Sequence, residues 1–174
     1  MLPYQQVSNI LPFLLEESLR IEEVMKSGLA DFSGIPESYY LLGLLSAFEN
    51  RFQAMADSTM REISWKQFFA TICINMCREA PTLKELSEIL GSSHQNVKQI
   101  LLKLEKKGFV TLEPDEKDKR KQRILITDQC REFCDKNDEQ SRRIISRIFA
   151  GVEEDDLTVT IRTIMKMERN VNNL

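Results

Sequence analysis

A single histidine, His94, stands in 174 residues, beside one tryptophan, six glycines and five prolines. One His without a partner constellation excludes most His-based triads and metal centres, while carboxylate chemistry stays open. No glycine-rich phosphate loop occurs. Neither catalysis, nor a cofactor, nor a bound metal is therefore expected. Long apolar runs are missing too. The longest, Tyr39 to Leu45, falls far short of the ~18 residues of a membrane span. The N-terminus lacks a basic region followed by a small-residue cleavage site, so secretion is not expected and the cytoplasm is the expected location.

Cysteine is scarce but patterned. The four cysteines form two pairs, Cys73 with Cys77 and Cys130 with Cys134, each at i, i+4 and so on one face of a helix. Two such pairs brought together can hold a metal or form a redox switch. The C-x₂-C spacing of structural zinc sites is absent, and free Cys is among the most buried residue types, so packing is the favoured role.

What is present is an ordinary globular composition, 42% hydrophobic and 29% charged with a net charge of −3. The length suits a single domain, residues 1–174, with a core of its own. Helical periodicity dominates. Leu11, Leu14, Leu15, Ile21 and Met25 mark an amphipathic helix from about Ile10 to Lys26, with Asn9 as cap and Pro12 in its first turn. A second helix is expected from Pro36 to about Ser58. A third, Ser64 to Cys77, carries Trp65, Phe68, Phe69, Ile72 and Met76, which suit a core and could also line a small-molecule pocket. Beyond residue 127, Asp128 is the expected cap of a long helix to about Ala150 whose middle, Lys136 to Arg143, is wholly polar. Gly151 breaks it. A last helix follows, with acids in its first turn and Leu157, Ile161, Ile164, Met165 and Met167 as its apolar side. No α/β alternation and no internal repeat interrupts this helical order.

The stretch from Thr82 to Thr127 is different. Thr82 and Glu85 have capping-box spacing, so a short helix starts there, with Leu83, Leu86, Ile89 and Leu90 on one face and Gly91 as its stop. Ser92 or Ser93 can cap a second helix, whose apolar positions Val97, Ile100, Leu101 and Leu104 repeat at steps of three and four before Gly108. Its other face carries His94, Gln95, Asn96, Lys98, Gln99 and Lys103. Such side chains donate to phosphates and base edges, and Asn and Gln can pair bidentately with adenine. Phe109 to Glu113 and Gln122 to Thr127 then read as strands around a Pro/Asp turn. Between Ser93 and Thr127 nine Lys or Arg stand against five acids, a net +4, so the rest of the chain sums to −7. Positive charge is concentrated where a duplex would lie.

Asp118-Lys119-Arg120 followed by Ile126-Thr127 resembles the wing signature of the MarR family of bacterial transcription regulators, an Asp-x-Arg with an apolar residue and Thr some residues on. The segment Leu86 to Gly108 is similar to that family's helix-turn-helix. The family pattern has Leu where this chain has Ile126, and commonly Pro where this chain has Glu116, two residues before the signature Asp. The resemblance implies a mainly α fold: a winged helix-turn-helix lobe over 64–127, flanked by helices in 1–58 and 128–174 that form a dimerisation region interleaved with a second subunit. It further implies that Arg120 reaches toward DNA, that Asp118 holds the wing in shape, and that a small, often aromatic ligand modulates binding.

The expected function is thus a sequence-specific double-stranded DNA-binding transcriptional regulator, a homodimer modulated by a small molecule or an oxidant. Ser92, Ser93, His94, Gln95, Asn96, Lys98, Gln99 and Lys103 are its expected major-groove residues, and Lys117, Lys119, Arg120 and Lys121 its wing contacts. The competing expectation is a winged-helix protein-interaction module without operator binding. It draws on the overall acidity and on Glu113, Asp115, Glu116 and Asp118, which would repel phosphates unless they face away. Steep salt dependence of DNA binding separates the two.

Overall fold

The computed structural model describes residues 21–26, 28–60 and 62–174. Seven helices and one hairpin are described: α1 (Ile21–Lys26), α2 (Glu37–Thr59), α3 (Trp65–Met76), α4 (Leu83–Ile89), α5 (His94–Lys106), β1 (Val110–Pro114), β2 (Gln122–Ile126), α6 (Asp128–Ile148) and α7 (Glu154–Val171). The fold is the expected one, mainly α with a winged helix-turn-helix. Most of the helix expected from Ile10, with Asn9 and Pro12, lies outside the described residues. The chain divides between Phe68 and Phe69 into two compact units.

In the first unit, the Phe32 amide donates to the Met25 carbonyl (3.0 Å), and the Phe32 and Tyr40 rings lie 5.6 Å apart. Helix α2 begins at Glu37, with Pro36 one position earlier than expected, at the cap. The start of α3 is reciprocally capped. Ser64 Oγ accepts from the Gln67 amide and Gln67 Oε1 from the Ser64 amide, a Ser/Gln capping box. Phe52 meets the edge of Trp65 at 4.7 Å. Ala56 is the one residue buried in α2, while Leu42, Leu44 and Phe48 stay exposed. Among the described residues, much of the apolar face of this helix is left exposed.

The second unit contains the helix-turn-helix and wing. Its core is Ala70, Ile74, Leu86, Val97, Leu101, Leu104, Phe109, Val110 and Ile124, with Thr71 and Cys130 buried beside them. Each of α4 and α5 contributes one apolar stripe, as expected, except that Ile89 is exposed at the end of α4. The strands pair antiparallel in the register Val110↔Ile126 to Pro114↔Gln122. The Ile124 amide donates to Pro81 O (2.9 Å), which ties β2 to the approach to α4. A lone two-stranded hairpin is marginal in water. This one is held by Ile124 in the core and by that bond.

One expected cap is corrected. Thr127, not Asp128, caps α6, its hydroxyl accepting from the Cys130 amide (3.2 Å) while donating to Gly108 O (2.6 Å). A hydroxyl can accept and donate at once, whereas a carboxylate only accepts. Thr127 therefore joins the end of α5, the end of β2 and the start of α6, and Asp128 sits in the first turn where the macrodipole favours an acid. Gly108 has φ +72°, and a Cβ there would lie 2.7 Å from Gln129 Oε1. The left-handed conformation is what calls for glycine, since the Gln129 side chain could shift to relieve the close approach.

Helix α6 crosses its polar middle with Asp138–Arg142 and Glu139–Arg143 pairs at i, i+4, which support an exposed helix by a few tenths of a kcal/mol each. No residue of α7 is buried. Its apolar side, Ile161, Ile164 and Met165, is exposed, as are Ile145 and Phe149 in and after α6.

Candidate nucleic-acid interface

The interface is built on two caps and a turn. The Thr82/Glu85 box is formed in both directions, the Glu85 carboxylate accepting from the Thr82 amide (2.7 Å) and hydroxyl (2.9 Å) and Thr82 Oγ1 from the Glu85 amide. The Thr82 amide first, then its hydroxyl, lowers the Glu85 pKa. Gly91 turns the chain at φ +56°. Ser93 is the residue that caps α5, accepting from the Asn96 amide (3.3 Å). Val97, Leu101 and Leu104 face the core, so His94, Gln95, Asn96, Lys98, Gln99 and Lys103 are all exposed. Ser92 is half-buried, its amide bound to Ser87 O (3.0 Å).

In the wing, Lys117, Lys119, Arg120 and Lys121 are exposed. Asp118 accepts from the Arg120 amide (3.2 Å) and from its guanidinium at Nε (3.0 Å) and Nη2 (3.3 Å), and Lys121 Nζ lies 3.9 Å away. The Arg120 guanidinium, ahead of its amide, lowers the Asp118 pKa. Asp118 thus gathers the Arg120 amide, the Arg120 guanidinium and the Lys121 ammonium around the wing turn.

The sequence reading missed the centre of the wing. Asp115, only 6% exposed, accepts at Oδ1 from the amides of Lys117 (2.8 Å) and Asp118 (2.7 Å) and at Oδ2 from Arg123 Nε. Arg123 Nη1 reaches Ala80 O (2.9 Å) and Glu85 Oε2 (3.4 Å). The signal for the first half was present. Asp after Pro in a turn commonly accepts from backbone amides two residues on. The second half was not legible, because the strand register sets Arg123 opposite Glu113, while its ion pairs go to Asp115 and Glu85.

These bonds make a pH prediction. The Asp118 amide first, then the Arg123 guanidinium, hold the Asp115 pKa at about 2, below the ordinary 3.8. A depressed folded pKa means the contribution to the wing is complete above 3.8 and lost as pH falls through about 2. In an NMR titration the Lys117 and Asp118 amide resonances are expected to hold their positions to about pH 3 and to move only below it. Movement centred near 4 would mean that Asp115 is not so bonded.

The cysteines do not converge. Among the described residues no three His, Cys, Asp or Glu side chains come together as metal ligands. Burial, with Cys134 beside it, pushes the Cys130 thiol up to about 12, and burial also raises that of Cys73. Raised pKa values keep thiols protonated and unreactive at neutral pH.

Two short helices at a glycine turn, the second open along a polar face, with a basic two-stranded wing after them, define a winged helix-turn-helix protein. The MarR family pattern matches residues 74–121. An uncharacterized HTH-type transcriptional regulator of Bacillus subtilis (strain 168), YkoM, is 28% identical over 128 residues, 70% of this chain and 83% of that protein. Among solved structures, a MarR/EmrR family transcriptional regulator from Acinetobacter sp. ADP1 superposes with a TM-score of 0.71 at 15% identity, covering 80% of this chain and all of that one. The S. aureus MepR–DNA complex gives a TM-score of 0.65 at 16% identity, over 74% of this chain and 94% of that one. Over residues 74–121 the chain matches, and over most of its length it shares the fold of, the MarR family of transcriptional regulators. That is not an enzyme family, and among the described residues no helix is long and apolar enough to cross a membrane.

Proposed function

We propose that this chain is a cytoplasmic, sequence-specific double-stranded DNA-binding regulator without enzymatic activity, acting as a homodimer and modulated by a small molecule. The observation that carries the reading is the polar face of α5, with Gln95, Asn96, Lys98 and Gln99 exposed on the side away from Val97, Leu101 and Leu104. A helix of this kind in the major groove reads base edges through its N-terminal turns, while Lys117, Lys119, Arg120 and Lys121 lie along phosphates and in the minor groove. Residues 64–127 form the DNA-binding lobe, and 1–58 with 128–174 the dimerisation region. The exposed apolar sides of α2 and α7 support that assignment, since a two-fold dimer reads half-sites roughly 34–36 Å apart. In the MepR structure a related fold is seen on DNA.

Two of the four acids that favoured a protein-interaction module are paired within the wing, while Glu113 and Glu116 stay exposed. Asp115 is turned inward onto Arg123 and Asp118 is paired with Arg120 and Lys121. Burial raises the thiols of Cys73 and Cys130, which makes those two poor candidates for an oxidant sensor.

Fluorescence anisotropy on the chain's own upstream duplex and a scrambled one, at low and physiological salt, tests the reading. The native duplex is expected to bind markedly tighter, with affinity falling steeply in salt. Gln95→Ala is expected to relax the sequence preference by about 1–3 kcal/mol, and Arg120→Ala to weaken binding to both duplexes and flatten the salt slope. Equal, weak binding to both duplexes would leave the winged helix serving a protein partner.

A further inference from the structure

We propose that Arg123 is the positioning residue of the wing, a strut that fastens the wing turn to the start of α4 and so aims Arg120 and its neighbouring lysines, without contacting DNA itself. The inference rests on the DNA-binding reading above and concerns how that site is kept in shape. By charge alone Arg123 is one more cation of a basic wing. The geometry separates it from the others. The Arg120 side chain is 92% exposed, whereas that of Arg123 is 28% exposed with Nε and Nη1 both engaged. Nε goes to Asp115, and Nη1 to Ala80 O and Glu85.

Each of those three acceptors belongs to a different part of the lobe. Asp115 organises the turn through the amides of Lys117 and Asp118, and its own amide donates to Lys121 O (3.0 Å) across the base of the loop. Ala80 stands in the link before α4. Glu85 is the N3 residue of the α4 capping box. The ladder ends at the Pro114–Gln122 pair, so residues 115–121 extend beyond the last strand pairing. Without a fastening at that point the tip would swing about the hairpin's end. A guanidinium suits this task because its planar fork offers five donors in fixed directions, where an ammonium offers a point charge on a flexible stem.

The experiment is a salt series of DNA affinities for the full chain and three variants, each checked for native secondary structure by circular dichroism. Asp115→Asn is decisive because the two readings differ in sign. Removing an acid from a basic wing should tighten binding if only net charge matters. Removing the anchor of Arg123 should weaken it by about tenfold or more, with the salt slope shallower by more than the ~0.9 of one phosphate contact, because several wing contacts are lost together. Arg123→Lys keeps the charge and loses the fork. It is expected to weaken binding in the same way, and it carries the test if Asp115→Asn does not fold. In the Arg120→Ala background, Asp115→Asn should cost clearly less than it does alone, the mark of residues acting through one another. Tighter or unchanged binding by Asp115→Asn, or wild-type affinity in Arg123→Lys, overturns the inference while leaving the regulator reading in place. A wild-type chain that prefers neither duplex overturns both.

Discussion

Replacing Ile161 and Met165 together with glutamate is expected to convert the proposed homodimer into monomers and to weaken operator binding by roughly 10²-fold or more, the scale on which a second tethered binding event contributes. The two residues lie one turn apart on α7 and are 50% and 53% exposed in the single chain, in a helix with no buried residue at all. A helix in a protein takes most of its stability from packing an amphipathic face. In a dimer each new carboxylate would have to leave water at the interface, a cost of several kcal/mol per ion without a partner. Analytical ultracentrifugation reads the mass and anisotropy reads the affinity. A variant that remained dimeric would move the interface away from α7, and the exposed Leu44 and Phe48 of α2 would be next to substitute.

Leu104→Ala is the largest single-site loss expected within the winged lobe. Leu104 is 0% exposed, and its carbonyl accepts from the amides of Lys107 and Phe109, where α5 hands over to the wing. Truncating a fully buried leucine removes its transfer free energy and leaves a cavity, together about 2–5 kcal/mol. For a chain of this size that is a fall in Tm on the order of 10 °C. Urea denaturation followed by circular dichroism measures the loss. DNA binding should fall with it, because α5 loses the seat that aims its polar face. The neighbouring Lys103→Ala supplies the contrast. Lys103 is exposed, so its removal should shift stability by no more than about 0.5 kcal/mol and act on DNA affinity instead. Equal losses of stability from the two substitutions would mean that α5 does not present the faces described.

Both predictions use residues that the sequence marked as apolar, yet it could not say what would cover them. Periodicity places Leu104 and Ile161 on apolar faces alike. Only packing shows that Leu104 is enclosed within its own chain while Ile161 is left open, because periodicity records a preference for burial and carries no information about the partner. The same holds for Ile89, which shares a helical stripe with Leu86 but ends exposed at the turn.

Local signals determined the helix-turn-helix by themselves. The Thr82/Glu85 box and the Asp118/Arg120 turn are interactions between residues two or three apart, and Gly91 and Gly108 mark the turns, so the chain's own spacing specifies them, while packing chose Ser93 over Ser92 as the cap of α5. Tertiary structure decided what depends on side chains far apart in sequence. Arg123 reaches back to Ala80 and Glu85, and the Thr127 hydroxyl reaches back to Gly108. Neither choice is visible in the strand pattern, where Arg123 faces Glu113 and Thr127 merely follows the last paired residue. A hydrogen bond across that separation exists only once the core of Leu86, Val97, Leu104 and Ile124 has brought the hairpin against α4 and α5. The sequence by itself therefore determined which elements form and which face of α5 is polar, and the packed core decided which wing charges stay exposed and which are drawn into ion pairs.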